Sequence, residues 1–353
     1  MTEFPPLRPV ADTPRPRSAR FDVALLDRLD TLVVGRRREL EVVVACLAGA
    51  RHLLLEGPPG TGKSTLLRAV ADEAGLGFEF SEGNAELTPA RLIGMFDPAR
   101  VLDAGYTPDV FLDGPLARAL RDGSLLYIEE INRLPEETLN VLITVMSEGE
   151  LHVPRLGMIP ASDGFRLVAA MNPHDSVGTA RISSAVYDRC ARVAIGYQDA
   201  EAEATIVARE AAGVSSELGA LADAAAPLLH GAVALARDTR DHPDLRSGSS
   251  VRGAIDLLIV AGELAALRRR SVFSSDVTLD ATLSALSGRI RLHEGSATTA
   301  ESLLTGLWQR HLAQLDPAAE APDDDPDADR STPTSDHPDD TPKPPAPVGA
   351  PTT

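Results

Sequence analysis

The sequence has little that would suit a membrane, an oxidising compartment or a nucleic-acid backbone. It contains 2 cysteines in 353 residues, too few for a disulfide framework. Both Cys46 and Cys190 sit in apolar surroundings, as buried free thiols do. No uncharged run approaches the length of a membrane span, and the first residues lack the apolar core of a signal peptide. The expectation is a cytoplasmic protein with no membrane insertion. Positive charge is short as well. Lys and Arg total 34 against 52 for Asp and Glu, a formal charge of -18. That balance argues against adhesion to DNA phosphates or anionic lipid, and so against nucleic acid as a partner. Lysine itself is nearly missing: apart from Lys63 there is only Lys343, and arginine takes every other such position.

Lys63 lies in Gly57-Pro58-Pro59-Gly60-Thr61-Gly62-Lys63-Ser64-Thr65. This stretch fits G-x-x-x-x-G-K-[ST], the phosphate-binding loop that joins a strand to a helix. Residues 52–56 read as a short buried strand before it, and residues 65–74 have the spacing of an amphipathic helix after it. Such a loop turns backbone N–H groups and a helix N-terminus toward an anion. Lys63 is placed to reach the β/γ-phosphates of ATP, and the Ser64 hydroxyl to ligate Mg²⁺. A compact ammonium suits that cradle where a forked guanidinium is too broad.

A second landmark is Leu125-Leu126-Tyr127-Ile128-Glu129-Glu130, an apolar strand running into two acids. Glu129 is assigned to the Mg²⁺ ion, mostly through water, and Glu130 to the attacking water as general base. The magnesium-side acid is usually Asp; the extra methylene of Glu129 shifts its carboxylate and predicts slow hydrolysis. Residues 166–171 form another buried strand with Asn172-Pro173 directly after it. An amide there is placed to hold the lytic water beside the γ-phosphate.

Taken in order, the chain divides into four parts. Residues 1–20, rich in Pro and Arg, read as a disordered arm. Residues 21–198 carry the strands and motifs above. They include a Thr88-Pro89 helix start, an irregular insertion at 93–109 outside the sheet, a hairpin at 150–165 and a fifth strand at 193–197. Residues 199–315 read as a helical domain with helices at 200–213, 218–237, 250–269, 275–292 and 300–315 and no strand between them. Ser275-Asp276 supplies a cap region, and Trp308 reads as a packing residue. Residues 316–353 are dominated by Asp and Pro and read as a disordered acidic tail.

The set Gly57–Ser64, Ile128-Glu129-Glu130-Ile131-Asn132-Arg133, Asn172-Pro173, Asp188-Arg189 and Ser250-Val251-Arg252 resembles, in this order, the AAA+ ATPases. Within them it is similar to the MoxR-type group of the helix-2-insert branch, over about residues 31–292. The resemblance implies a P-loop αβα sandwich with a parallel five-stranded sheet, followed by an all-α lid. It also implies a ring of subunits, usually a hexamer, with ATP at the interfaces. Asn172 then falls at the sensor-1 position, and Arg189 at the arginine-finger position, for which Arg181 and Arg192 compete. Arg252 falls at the sensor-2 position. The insertion near 93–108 and the hairpin near 150–165 match two inserts that shape the pore and partner face. MoxR-type proteins look like chaperones for clients carrying a von Willebrand factor A domain, commonly in metal or cofactor insertion or complex assembly. The segment from Leu92 to Leu102, with Phe111 and Gly114-Pro115-Leu116, also resembles magnesium or cobalt chelatase motor subunits. A slowly hydrolysing, nucleotide-gated scaffold is the alternative that Glu129 keeps open.

Overall fold

The computed structural model describes residues 21–173, 182–214 and 226–317. The N-terminal arm, Arg181, the first part of the helix expected from residue 218 and the acidic tail from residue 318 lie outside these residues.

The chain enters through α1 (Val23–Leu32) and α2 (Arg37–Ala48), followed by β1 (His52–Glu56) and α3 (Lys63–Glu73). Next come β2 (Phe78–Glu82), α4 (Pro89–Ile93), β3 (Gly94–Phe96), α5 (Pro98–Ala104), β4 (Phe111–Asp113) and α6 (Pro115–Asp122). Thr88 caps α4 through its side chain, which accepts from the Arg91 N–H, with Pro89 as the first helical residue. Then follow β5 (Leu125–Glu129), α7 (Glu136–Glu148), β6 (Glu150–Val153), β7 (Gly157–Pro160), β8 (Arg166–Met171), α8 (Ser184–Arg189) and β9 (Cys190–Ala194).

Five strands form one parallel sheet in the order β2-β5-β8-β1-β9. Period-two alternation divides its side chains between two cores. Leu53, Leu55, Leu125, Tyr127, Val168 and Ala170 pack with α1, α2 and α3. Leu54, Leu126, Ile128, Leu167, Ala169 and Met171 pack with α6 and α7. Both faces are covered, which is why these strands read as continuous apolar runs. The expected fifth strand at 193–197 is displaced: β9 runs over Cys190–Ala194, where its register against β1 pairs His52 with Cys190 and Glu56 with Ala194. The apolar Ile195 follows that strand, its N–H donating to the Glu56 carbonyl.

The insertion is a structure of its own. β3 and β4 pair antiparallel beside α5, apart from the main sheet. β6 and β7 make the expected hairpin, and Arg155 in its turn stacks over Tyr106 of the insertion at 3.9 Å.

Beyond the sheet lie α9 (Ala200–Val214), α10 (Ala226–Asp241), β10 (Leu245–Ser247), α11 (Val251–Arg268), α12 (Ser275–Leu286), β11 (Arg291–Leu292) and α13 (Ala300–His311). Their apolar faces share a third core that includes Val207, Leu235, Leu257, Leu286 and Leu304. Trp308 packs there and its indole N–H donates to Thr278 Oγ1 at 3.0 Å. The reading of helices without intervening strands misses one feature, because β10 and β11 pair as a short antiparallel ribbon. Its strands are too brief and too polar to show a period-two pattern. Ser274, not Ser275, is the N-cap of α12. The Ser275 N–H donates instead to Asp316 Oδ2 at 2.7 Å, so the first residue of the acidic stretch caps a helix of the fold.

Candidate nucleotide-binding site

The loop Gly57–Gly62 leaves the carboxyl end of β1 and turns directly into α3 at Lys63. Gly60 and Gly62 hold left-handed backbone, φ 72° and 79°, which glycine adopts without a Cβ penalty. Lys63 is 7% exposed, and its Nζ donates to the carbonyls of Gly57 at 3.0 Å and Pro58 at 2.8 Å. Burial lowers its pKa, opposed by the nearby Glu129 carboxylate. Arg36 braces the loop from behind, donating to the Thr61 carbonyl at 3.0 Å, the Gly196 carbonyl at 2.6 Å and Gln198 Oε1 at 3.0 Å.

Parallel pairing brings the other motifs to the same edge. Ser64 Oγ lies 3.3 Å from both oxygens of Glu129 and 3.3 Å from the Tyr127 hydroxyl. Burial pushes the Tyr127 phenol up, so it stays protonated. A hydroxyl beside a carboxylate is the hard-oxygen donor set that suits Mg²⁺ completed by water and phosphate oxygens. Among the described residues no cluster of His, Cys, Asp and Glu offers a metal site made of protein ligands alone. Glu130 has left-handed backbone, φ 53° and ψ 45°. This turns it out of the strand direction, and Arg133 Nε stands 3.0 Å from its carboxylate. Gly83, at the end of β2, donates its N–H to the Glu129 carbonyl at 2.7 Å. A Cβ there would come within 2.3 Å of the Glu130 carbonyl oxygen, so the pair of acids requires glycine beside it.

β8 lies between β5 and β1, so Asn172 emerges between the two chemical motifs, and the Gly57 N–H donates to the Met171 carbonyl at 3.1 Å. Arg252, in the first turn of α11, reaches the same loop, its Cδ 3.8 Å from where a Cβ of Gly60 would sit. Arg189 is not brought to this loop within the chain. Its guanidinium donates to Ser147 Oγ and, at 2.9 Å, to the Ala185 carbonyl. Arg192 is engaged by Glu56, which also accepts from the Tyr187 hydroxyl at 3.0 Å.

The motifs mark only part of the adjoining cavity, the phosphate loop with Val251 and Arg252, and not its remaining walls. It has a volume of about 360 Å³ and is lined by Val33, Val34, Ile206, Val251 and Ile255, with Gly60, Thr61 and Gly62 at one end. Apolar walls opening onto a phosphate loop suit a purine base and ribose. The sequence signal for those remaining walls is weak: Val33-Val34 before Gly35 reads as an ordinary turn, and the two isoleucines as helix core.

Residues 52–190 match the AAA domain family, dynein-related subfamily. They carry an AAA-type P-loop ATPase fold. The wider chain is similar to an uncharacterized protein of Staphylococcus epidermidis, 31% identical over 159 residues, 44% of this chain and 60% of that protein. It is also similar to the uncharacterized protein YeaC of Bacillus subtilis, 26% identical over 277 residues, 71% of this chain and 81% of that one. The match thus spans about 60% of the length of the first of these relatives. Among solved structures, the RuvB Holliday junction branch migration motor of Thermotoga maritima superposes with a TM-score of 0.44 at 18% identity, covering 75% of this chain and 70% of that one. Within the AAA domain, the phosphate loop, the paired acids and Asn172 all lie at the carboxyl edge of the sheet. Among the described residues, no helix is long and apolar enough to cross a membrane.

Proposed function

We propose that the chain is a MoxR-type AAA+ motor that hydrolyses ATP to remodel, assemble or load a metal or cofactor into a partner protein. The client class is a protein with a von Willebrand factor A domain. The observation that carries the ATPase part is the convergence of Lys63, Ser64, Glu129, Glu130 and Asn172 on one sheet edge, with Arg252 delivered there from the helical part.

In this reading Gly57 to Thr65 cradle the phosphates, and Lys63 exchanges its two carbonyl partners for phosphate oxygens. Ser64 and Glu129 would hold Mg²⁺, which would supply positive charge to offset that of the phosphates. Glu130 takes a proton from the attacking water, which Asn172 orients, once its carboxylate is released from Arg133. Arg189 lies on a helix away from its own loop, which fits a role at the site of a neighbouring subunit in a ring, a hexamer by resemblance. Arg192 fits that role less well, because Glu56 of the same chain already pairs with it.

The Glu130–Arg133 pair also favours a second reading, a slowly hydrolysing scaffold that uses ATP as a gate. The two are separated by phosphate release measured with and without a von Willebrand factor A partner. A motor turns over ATP and is stimulated by its partner, whereas a scaffold stays slow in both conditions. A chelatase-type role would show instead as stimulation by chelatase partner subunits. The site assignment is tested by Lys63→Ala and Glu130→Gln. Lys63→Ala should lose ATP binding at an unchanged melting temperature, and Glu130→Gln should bind ATP–Mg²⁺ without turnover. Wild-type affinity in the first variant refutes the phosphate-binding role of Lys63, and wild-type turnover in the second refutes Glu130 as the general base.

A further inference from the structure

A buried charge cluster links the helical part to the phosphate loop by two routes. Glu203 on α9 is 1% exposed, set between the buried alanines Ala202 and Ala204. Its carboxylate accepts from Arg237 Nη1 at 3.1 Å and from Arg240 Nη1 at 2.7 Å, both on α10. Neither arginine stops at the carboxylate. Arg237 Nη1 also donates to the Gln198 carbonyl at 3.0 Å. Arg240 Nε donates to the Ser249 carbonyl at 2.8 Å, and its guanidinium lies 3.9 Å over the Tyr197 ring.

One carboxylate therefore fixes both the segment leaving the sheet, at Tyr197 and Gln198, and the turn that opens α11. Each returns to the phosphate loop. The Gln198 side chain accepts from Arg36, which also donates to the Thr61 carbonyl. Ser250 lies against Gly60, so closely that a Cβ on Gly60 would be 2.3 Å from Ser250 Oγ. The circuit is closed: loop, Arg36, Gln198, Arg237, Glu203, Arg240, Ser249, Ser250 and loop again. A buried ion cluster contributes little net stability over well-packed apolar residues, because desolvation offsets the attraction. Here it specifies one geometry for two segments that apolar contacts alone would leave free to slide.

We infer that Glu203 is a positioning residue for nucleotide binding: it sets the angle of the helical lid over the phosphate loop, and with it the placement of Ser250 and Arg252. This rests on the reading that the pocket binds ATP. The test uses the full chain and titrates ATP–Mg²⁺ calorimetrically against wild type, Glu203→Gln, Arg252→Ala and the double variant, with KM and kcat measured in parallel. Glu203→Gln keeps the shape and loses the charge. It should weaken ATP binding at least about fivefold and raise KM in proportion, with a smaller change in kcat. The double variant should bind no more weakly than Arg252→Ala, because both act through the same placement.

Arg240→Lys provides an independent check should Glu203→Gln fold poorly: it gives up the fixed fork by which separate guanidinium nitrogens hold Glu203 and the Ser249 carbonyl at once, so the same pattern is expected. As a control, Arg268→Ala breaks the Arg268–Asp280 pair at the far end of α11 and should leave ATP affinity unchanged. A lowered melting temperature with wild-type ATP affinity, or fold-losses that multiply with Arg252→Ala, overturns the inference. Wild-type protein that fails to bind ATP refutes the reading of the pocket itself, a result distinct from wild type that binds and Glu203→Gln that binds equally well.

Discussion

Alanine at Gly60 should separate the lid from the phosphate loop, through two effects of different kind. The first is local. Gly60 has φ 72°, and left-handed backbone costs an L-residue roughly 1–2 kcal/mol. The second is a collision. The new Cβ would lie 2.3 Å from Ser250 Oγ and 2.5 Å from Ser250 Cβ, where carbon contacts prefer about 3.5–4.0 Å. Ser250 must retreat by about 1 Å, and α11 carries Arg252 with it; displacements of about 1 Å in a site cost on the order of 10²-fold in rate. Gly60→Ala should therefore lose roughly 1–2 kcal/mol of unfolding free energy and about 10²-fold in ATP turnover. Adding Ser250→Gly removes the obstruction and leaves the backbone term. Ser250 makes no side-chain capping hydrogen bond to α11, so its loss alone costs only a few tenths of a kcal/mol. The double variant should recover most of the turnover and none of the stability, read by phosphate release and by denaturant melts. Equal turnover in the single and double variants would show that the lid does not rest on Gly60 in the working enzyme. Undiminished stability of Gly60→Ala would show that the loop is not left-handed there.

Three further outcomes follow from particular contacts. Arg189→Ala should bind ATP almost normally and hydrolyse it about 10³-fold more slowly or worse, and mixing it with Lys63→Ala should restore part of the activity. No recovery in demonstrably mixed rings assigns Arg189 to holding α8 against Ser147 of α7. Tyr127→Phe removes the hydroxyl 3.3 Å from Ser64 Oγ, a contact of about 1 kcal/mol, and should raise the Mg²⁺ concentration needed for half-maximal turnover several-fold. An unchanged Mg²⁺ requirement would mean that Glu129 alone orients Ser64. His52 accepts from the Leu167 N–H through Nδ1 at 2.9 Å, and burial lowers its pKa from 6.5 to about 4. The unfolded chain then binds the extra proton first, so stability is complete above pH 6.5 and falls as the pH drops toward 4, by up to about 3 kcal/mol. His52→Asn keeps an acceptor near the Leu167 amide and should flatten that part of the stability–pH curve; an unchanged slope removes His52 as its source.

The motifs that the sequence determines by itself are those whose physics is local. The phosphate loop, its strand and its helix occupy one contiguous stretch from His52 to Glu73, so spacing and glycine placement are enough to specify them. Thr88 and Pro89 fix a helix start for the same reason. The acids at 129–130 and Asn172 are legible because a buried parallel strand must end somewhere, and polar residues at that end stand out against an apolar run.

Tertiary structure decides what depends on closure. Strand order places β8 between β5 and β1 and so brings Asn172 between the loop and the acids; no spacing in the chain encodes that neighbourhood. Arg36, Gln198, Arg237 and Arg240 read as ordinary surface charge or polar residues in a chain rich in arginine. Each acquires its role only when the chain folds and brings partners from other segments against its guanidinium, side-chain amide or carbonyl. Glu203 left one faint trace, an acid between two alanines at buried helical positions. A carboxylate in such a place is tolerable only if cations arrive to meet it, and which cations arrive is settled by the packing of α9 against α10.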